Sequence, residues 1–288
     1  MKTPKKVIAI HDIVSFGRAS LSNIIPIISA MGIQVCPVPT AVLSTHLGGF
    51  GKPALNDLSD LIQKTFEHFK KLNLHFDCIY PGYLSSNQQA ETVLKFIEYF
   101  GKDALIAVDP VMADNGKFYS GMDFSTAKTL KKLISKSDII FPNYTEACFL
   151  LGEEYQEKYS LNYLKSMLKR LSDIGVSKVV MTSVPSKEKN QIKVLSFDSC
   201  SNEFTEYSTV NLGGSYPGTG DIFASVVIGG ILSGNSLENS ICRSMNFISE
   251  CISYTQKFSE PNNFGVIFEP NLSLLKNSEN SFVKIRKI

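Results

Sequence analysis

Short apolar segments alternate with amphipathic stretches along this chain of 288 residues. The apolar segments lie at 7–10, 77–80, 104–108, 138–141 and 178–181. Continuous runs of this kind are typical of parallel strands that are buried on both faces of a sheet. Helical spacing of apolar residues, at i, i+3, i+4 and i+7, marks the stretches 86–100, 160–174 and 236–254. The alternation predicts right-handed βαβ units and a mostly parallel sheet.

One late pair of segments departs from this alternation. Residues 191–197 and 202–210 are separated by the polar stretch 198–201, which predicts an antiparallel hairpin at the edge of the sheet. A capping box is expected at the start of the helix over 86–100, from Ser86 and Gln89. The chain contains no long linker and no internal repeat, so we expect a single α/β domain over 1–288.

Charge and composition exclude several classes of protein. The net charge is +2, and the basic stretches at the two ends are short, which argues against nucleic acid as a partner. No apolar run reaches the ~18 residues of a membrane span. The apolar segment at 7–10 is interrupted too early for a signal peptide, so a cytoplasmic protein is expected. The six cysteines form no C-x-x-C pair, which disfavours a zinc site or a disulfide framework.

The motif Pro217-Gly218-Thr219-Gly220-Asp221 precedes an apolar run and is the strongest functional signal. The two glycines allow a tight turn with exposed N–H groups, and the run predicts a buried helix that begins there. The N-terminus of such a helix is an anion site, because its first N–H groups are unpaired. Asp221 has two interpretations, a simple helix cap or a general base beside a bound phosphate.

Two further motifs directly follow predicted strands. Asp109 and Asp114 come after the strand at 104–108, where they could hold Mg²⁺ or merely stabilise a turn. Asn143 and Glu146 come after the strand at 138–141. Asn143 could cap the next helix, and Glu146 could orient a magnesium-bound water. Since ligands of parallel sheets bind at the carboxyl ends of strands, both motifs are candidates for a nucleotide site.

Polar and aromatic residues near other strand ends suggest a substrate pocket. Asp12, His46 and Tyr83 are expected at the same edge of the sheet, although each alone is more often an ordinary surface or turn residue. Tyr83 could stack on an aromatic ring. The glycine-rich segment at 48–53 does not match a Walker loop, and no dinucleotide-binding G-x-G-x-x-G motif opens a helix after the first strand.

These motifs together resemble those of the ribokinase-like superfamily, in particular its pyridoxal/pyridoxamine kinase branch. The resemblance extends from about residue 7 to about residue 257. It rests on G-T-G-D at 218–221, D-P-V-M at 109–112, P-N-x-x-E-A at 142–147, G-Y-L at 82–84 and Ser44-Thr45-His46. The resemblance implies a three-layer α/β/α fold, a homodimer, and ATP with Mg²⁺, while a monovalent cation stays open.

The resemblance also implies roles for individual residues. Asp221 would be the catalytic base, and Gly218, Thr219 and Gly220 would form the anion hole. The residues implied around Mg-ATP are Asp109, Asp114, Asn143, Glu146, Thr182 and Ser183. The residues implied in the pyridoxal pocket are Asp12, Thr45, His46 and Tyr83.

The expected reaction is ATP-dependent phosphorylation of the 5-hydroxymethyl group of pyridoxal, pyridoxamine or pyridoxine. Two alternatives stay open: a hydroxymethylpyrimidine (phosphate) kinase of thiamine synthesis, and a non-catalytic vitamin-binding protein with the same fold. The hairpin at 191–210 and the segment 211–216, with its hinge at Gly213-Gly214, are expected to order over bound nucleotide.

Overall fold

A computed structural model describes residues 3–157, 159–185, 188, 190–276 and 282–288. These residues divide into two compact units, one of Met1–Ile79 with Leu212–Val283 and the other of Tyr80–Asn211 with Lys284–Ile288. We call them the first and the second unit. The single domain expected from the sequence stays a prediction.

The first unit contains the amino-terminal strands and the two long carboxyl-terminal helices. Its amino-terminal elements are β1 (Lys6–Phe16), α1 (Leu21–Ala30), β2 (Gln34–Thr45), β3 (Leu55–Asp57) and α2 (Ser59–Lys71). The strand β4 (Cys78–Pro81) crosses the boundary between the units.

The second unit begins with α3 and alternates helices with strands before its final hairpin. Its first elements are α3 (Asn87–Phe100), β5 (Leu105–Val108), β6 (Ala113–Asp114), β7 (Lys117–Phe118), α4 (Phe124–Ile134) and β8 (Ile139–Ile140). They are followed by α5 (Tyr144–Leu151), α6 (Leu161–Ser172), β9 (Lys178–Val184), β10 (Gln191–Asp198) and β11 (Glu203–Val210). The later elements of the first unit are α7 (Thr219–Leu232), α8 (Leu237–Thr255) and the 3-10 helices Asn262–Phe264 and Glu269–Lys276. The chain then returns to the second unit with β12 (Lys284–Lys287).

Parallel pairing forms the centre of the sheet in each unit. In the first unit β1 pairs parallel with β2, and β3 adds antiparallel to β2. In the second unit β5, β8 and β9 are parallel neighbours. The predicted hairpin is confirmed, because β10 pairs antiparallel with β11. The strand β12, which the sequence did not predict, pairs antiparallel with β11.

The pairing of β1 with β2 is irregular at one point. His11 is opposite Pro39 and Ile13 is opposite Val42, so the register shifts across Asp12. Such bulges redirect a side chain and are common beside active sites. The extra residue is on β2, where Thr40 and Ala41 lie opposite the single residue Asp12, so the bulge is located next to this carboxylate.

The predicted buried helix is α7. Every residue from Ile222 to Gly230 is buried, which explains why the run is apolar on all sides. Ile222 and Val226 pack in a core cluster with Ile27 of α1 and Phe247 of α8. This packing holds the start of α7 firmly, and the first turn of α7 carries Asp221.

The start of α3 confirms one half of the expected capping box and corrects the other. At the start of α3, Ser86 accepts a hydrogen bond from the N–H of Gln89, as the capping box requires. The Gln89 side chain, however, accepts the N–H of Ser85 at 2.9 Å, so the expected reciprocal bond to Ser86 was wrong.

Of the six cysteines, all are free and four are buried. Among the described residues, no helix is long and apolar enough to cross a membrane.

Candidate active site

The turn before α7 is built around Gly218. This residue has a φ of +78°, a left-handed conformation that glycine adopts without strain. A Cβ atom here would lie 2.0 Å from the carbonyl oxygen of Arg18 and 2.6 Å from Nδ2 of Asn23. No residue with a side chain fits this turn unless the neighbouring backbone moves.

Asn23 fixes the turn from the side of α1. It is fully buried, and its Nδ2 donates to the carbonyl oxygens of Arg18 at 3.0 Å and Gly218 at 3.1 Å. The sequence reasoning missed Asn23. The available signal was a polar residue inside the apolar run at 21–28, where a buried amide needs specific partners.

The first turn of α7 offers N–H groups to a ligand. Gly218 has no side chain to cap the helix, and the first intrahelical bond is from the N–H of Ile222 to the carbonyl of Gly218 at 3.1 Å. The N–H groups of Thr219, Gly220 and Asp221 therefore have no acceptor within the helix. Gly220 is exposed to solvent. Unpaired N–H groups at a helix N-terminus favour a bound anion, so this geometry is compatible with the predicted anion site, which stays a prediction.

Asp221 lies beside these N–H groups and is oriented by the turn after β1. Its Oδ2 accepts the backbone N–H of Ser20 at 2.8 Å. The pKa of Asp221 is raised to about 7, mainly because the carboxylate is buried. The hydrogen bond from Ser20 lowers this pKa, and the nearby charge of Asp12 raises it. A carboxylate with a pKa near neutrality is a stronger proton acceptor than an ordinary aspartate, so it suits general base catalysis.

Asp12 is the second carboxylate of this site. Its side chain is 6% exposed, and Oδ1 accepts the Ser20 hydroxyl at 2.5 Å. Burial raises the pKa of Asp12, while the Ser20 hydroxyl and His46 lower it. The first unit thus brings Asp12 and Asp221 together around Ser20, a residue that the sequence reasoning also missed.

His46 and Thr45 lie at the end of β2. The Nδ1 of His46 accepts the N–H of Gly48 at 3.1 Å, so Nε2 carries the proton and donates to the carbonyl of Asn263 at 2.8 Å. Both ring nitrogens are engaged within the protein, which leaves the ring face as the surface available to a ligand. Thr45 is half-buried opposite Phe16 in the β1–β2 pairing.

Aromatic rings surround this end of the first unit. Phe50 makes an edge contact with His46, with centroids 4.9 Å apart, and stacks on Phe264 at 5.8 Å. Phe16 makes edge contacts with both phenylalanines, and half of its surface is exposed. His46 is close enough to Asp12 to affect its pKa, and ring faces near a carboxylate suit an aromatic ligand that carries polar substituents.

In the second unit, Asn143 and Glu146 form a capping box at the start of α5. The Asn143 side chain accepts the N–H of Glu146 at 2.9 Å, and Oε2 of Glu146 accepts the N–H of Asn143 at 2.8 Å. Oε1 of Glu146 accepts the N–H of Met112 at 3.1 Å. The cap interpretation of Asn143 is therefore correct, and the same bonds join α5 to the segment after β5.

Glu146 and Asp109 form a buried carboxylate pair. Glu146 is 3% exposed, and its pKa is raised well above the ordinary value by burial and, next, by the charge of Asp109. A divalent cation nearby would offset this repulsion, so the pair fits a magnesium site. Mg²⁺ usually takes one or two carboxylates and completes its shell with water and phosphate. Among the residues described here, no three His, Cys, Asp or Glu side chains group closely enough to bind a metal unaided.

Asp114 occupies a different setting. Its two carboxylate oxygens accept the N–H of Asn115 at 2.9 Å and its Nδ2 at 3.0 Å. Burial raises the pKa of Asp114, and the Asn115 N–H lowers it. Asp114 therefore stabilises the turn between β6 and β7, and its role with Mg²⁺ stays a prediction.

The remaining predicted residues lie at strand ends of the second unit. The N–H of Thr182 in β9 donates to the carbonyl of Pro142 at 2.9 Å, which brings Thr182 next to Asn143. Ser183 is exposed and has a φ of +51°. Tyr83 follows β4 and is half-buried. The contacts of these three residues with nucleotide or substrate stay predictions.

The sequence matches the phosphomethylpyrimidine kinase family over residues 27–264. The chain belongs to this family. It is 38% identical to a Bacteroides thetaiotaomicron protein crystallised with pyridoxal, with a TM-score of 0.92 over 98% of this chain and 100% of the other. It is 30% identical to pyridoxal kinase from Lactobacillus plantarum, with a TM-score of 0.86 over 94% of this chain and 96% of that one.

A third relative is known from its sequence. The chain is 28% identical to pyridoxal kinase from Dictyostelium discoideum over 242 residues, which cover 78% of this chain and 77% of the relative. These similarities confirm the predicted ribokinase-like α/β fold with its antiparallel edge hairpin. They also confirm the predicted class of activity, phosphoryl transfer to an alcohol.

Proposed function

We propose that this chain is an ATP-dependent kinase that phosphorylates the 5-hydroxymethyl group of pyridoxal or a closely related form of vitamin B6. One observation carries the proposal: the Asp221 carboxylate lies at the first turn of α7, beside N–H groups that have no acceptor within the helix. The similarity to pyridoxal kinases, and to a relative crystallised with pyridoxal, supports the choice of substrate.

In the proposed reaction, Asp221 accepts the proton of the hydroxymethyl group as the hydroxymethyl oxygen attacks the terminal phosphorus of ATP. The bond from that phosphorus to the oxygen that bridges it to the β-phosphate breaks, and ADP leaves. The N–H groups of Thr219, Gly220 and Asp221 stabilise the charge that spreads over the transferred phosphoryl group. Removing one such preorganised donor typically costs roughly 3–4 kcal/mol of transition-state stabilisation. The ring faces of Phe50 and His46 and the carboxylate of Asp12 would hold the aromatic ring of the substrate.

For the second unit we propose that Asp109 and Glu146 hold the Mg²⁺ that accompanies ATP. Since both Glu146 oxygens already accept backbone N–H groups, Glu146 would act mainly by orienting a magnesium-bound water. The cation neutralises phosphate charge. We propose that the nucleotide also contacts Asn143, Thr182 and Ser183. We propose that Asp114 lies near the metal.

The alternative substrate is a hydroxymethylpyrimidine, favoured by the family to which the chain belongs. It presents a hydroxymethyl group on an aromatic ring, so the same base and anion site would serve it. A panel of pyridoxal, pyridoxine, pyridoxamine and hydroxymethylpyrimidine, each with Mg-ATP, separates the candidates by the mass of the phosphorylated product. We expect kcat/KM to be highest for a B6 form. A higher value for hydroxymethylpyrimidine would overturn the proposed substrate, and no product from any of the four would overturn the kinase.

Two further expectations accompany this function. We propose that the protein acts as a homodimer in the cytoplasm, on the strength of its resemblance to pyridoxal kinases. Light scattering coupled to size exclusion should give twice the 31.8 kDa mass of the chain. A monomeric mass for the active enzyme would contradict the dimer and leave the reaction unaffected.

A further inference from the structure

Ser20 has a backbone conformation that is unusual for its residue type. Its φ is +53° and its ψ is −136°, a region that glycine occupies easily and other residues rarely do. A residue is held in such a conformation only when its surroundings enforce it, and such positions concentrate at functional sites. The contacts around the turn after β1 must therefore stabilise this shape by more free energy than the backbone strain costs.

Ser20 also forgoes the usual role of a serine before a helix. It directly precedes α1, where a serine side chain normally accepts an N–H of the first turn. The Ser20 side chain makes no such bond. Its hydroxyl donates instead to Oδ1 of Asp12.

The backbone of the same residue binds the second carboxylate. Its N–H donates to Oδ2 of Asp221 at 2.8 Å. Ser20 thus joins two like-charged groups, one from β1 and one from α7, through two different donors. The turn itself is fixed by an isolated bridge between Ile13 and Ser20 and by the Asn23 side chain on the carbonyl of Arg18.

We propose that Ser20 is the positioning residue of this carboxylate pair. Its N–H turns Asp221 so that the other carboxylate oxygen receives the proton of the alcohol, and its hydroxyl holds Asp12 in place to bind the alcohol substrate. The inference rests on the role of Asp221 in the proposed function. Because one contact is from the backbone and the other from the side chain, mutation can separate them.

The first test is Ser20→Ala, which removes the hydroxyl and retains the N–H. We expect the KM for the alcohol to rise about tenfold or more, the loss typical of a hydrogen bond to a charged group. The kcat and the KM for ATP should change little, since Asp221 keeps its donor. Ser22→Ala is the matched control, because Ser22 is two residues further along, in α1, and its hydroxyl donates to the Val14 carbonyl of β1 rather than to either carboxylate.

A second variant guards against a simple folding defect. Ser20→Gly also lacks the hydroxyl, but glycine adopts a φ of +53° without strain. We expect Ser20→Gly to lose activity as much as Ser20→Ala while melting at a higher temperature than Ser20→Ala. If Ser20 had only a structural role, activity would follow thermal stability across the two variants, and that result would overturn the proposal.

A double-mutant cycle with Asp12→Ala tests whether Ser20 acts through Asp12. In the Asp12→Ala background, adding Ser20→Ala should change the KM for the alcohol by less than about twofold, because the coupled partner is already gone. Two independent, multiplying effects would contradict the proposal.

Crystal structures of the wild-type protein and Ser20→Ala give a readout that does not depend on turnover. We expect the Asp12 carboxylate to move and the Asp221 carboxylate to stay on the N–H of residue 20. An unmoved Asp12 would overturn the inference. Should the wild-type protein phosphorylate none of the alcohols in the panel, the proposed function fails, and these structures still decide whether Ser20 positions the pair.

Discussion

At the scale of single residues, the surroundings of Asp221 determine its chemistry. Burial raises its pKa to about 7, while the N–H of Ser20 partly opposes this. The sequence indicated both a helix cap and a base as interpretations of this residue. In the structure, Oδ2 of Asp221 accepts the backbone N–H of Ser20, which lies outside α7, so a contact beyond its own helix orients the carboxylate.

The raised pKa has a consequence for stability. A carboxyl group whose pKa is higher in the folded state than in the unfolded state stabilises the fold at low pH, and this contribution is lost as pH rises through the folded pKa. The wild-type protein should therefore lose stability between about pH 4 and pH 7 relative to Asp221→Asn. Melting temperatures measured at pH 5 and pH 8 test this, and a mutant-minus-wild-type difference that does not grow with pH would contradict it.

At the scale of elements, the first turn of α7 depends on close backbone packing. In Gly218→Ala the new Cβ would meet the Arg18 carbonyl, so the turn before α7 must move away from the turn after β1. We expect turnover to fall at least about 100-fold, as for the loss of an oxyanion donor, and unfolding free energy to fall by more than about 1 kcal/mol.

The control for this variant is Gly234→Ala. Gly234 also has a positive φ, of +90°, but a Cβ there meets nothing within 4 Å. Unfolding in urea and steady-state kinetics of both variants separate backbone strain from the steric clash. Equal effects on turnover would show that the shape of the Gly218 turn is unimportant.

The capping box of α5 gives another element-scale prediction. Asn143→Ala removes the acceptor for the N–H of Glu146 and should lower the free energy of unfolding by about 1–2 kcal/mol. Ser160→Ala, which removes the cap of α6, is the comparison. If Asn143 and Glu146 serve the nucleotide, only Asn143→Ala also raises the KM for Mg-ATP. Equal KM values in the two variants would limit Asn143 to its role as a cap.

At the scale of the whole molecule, the periodic parts of the sequence were the predictable ones. The apolar runs over 178–181 and 104–108 became β9 and β5, and the stripe over 236–254 became α8. The short strands β3, β6 and β7 escaped prediction because each has two or three residues and no usable period. The strand β12 was missed because it is rich in charged residues. Their partners, such as Glu206 for Arg286, lie far away along the chain.

The sequence predicted only those site residues that form a recognisable motif within a short stretch of the chain. The glycines of 218–221 and Asp221 form a local pattern with a physical reason. Ser20 and Asn23 have no such pattern, because their roles arise from contacts with residues about 200 positions away along the chain. The bulge opposite Asp12 depends on the register of two strands, which a single sequence does not specify.

The most direct test of the central claim compares Asp221→Asn with the wild-type protein and with Asp60→Asn. Asp60 is an exposed aspartate in the first turn of α2, so its variant makes the same chemical change at another helix start. Phosphorylated product, followed with Mg-ATP and the best alcohol of the panel, should fall about 100-fold or more in Asp221→Asn. Asp60→Asn should match the wild-type rate, and ATP should bind all three proteins alike by calorimetry. Turnover of Asp221→Asn within a few fold of the wild-type rate would contradict the account.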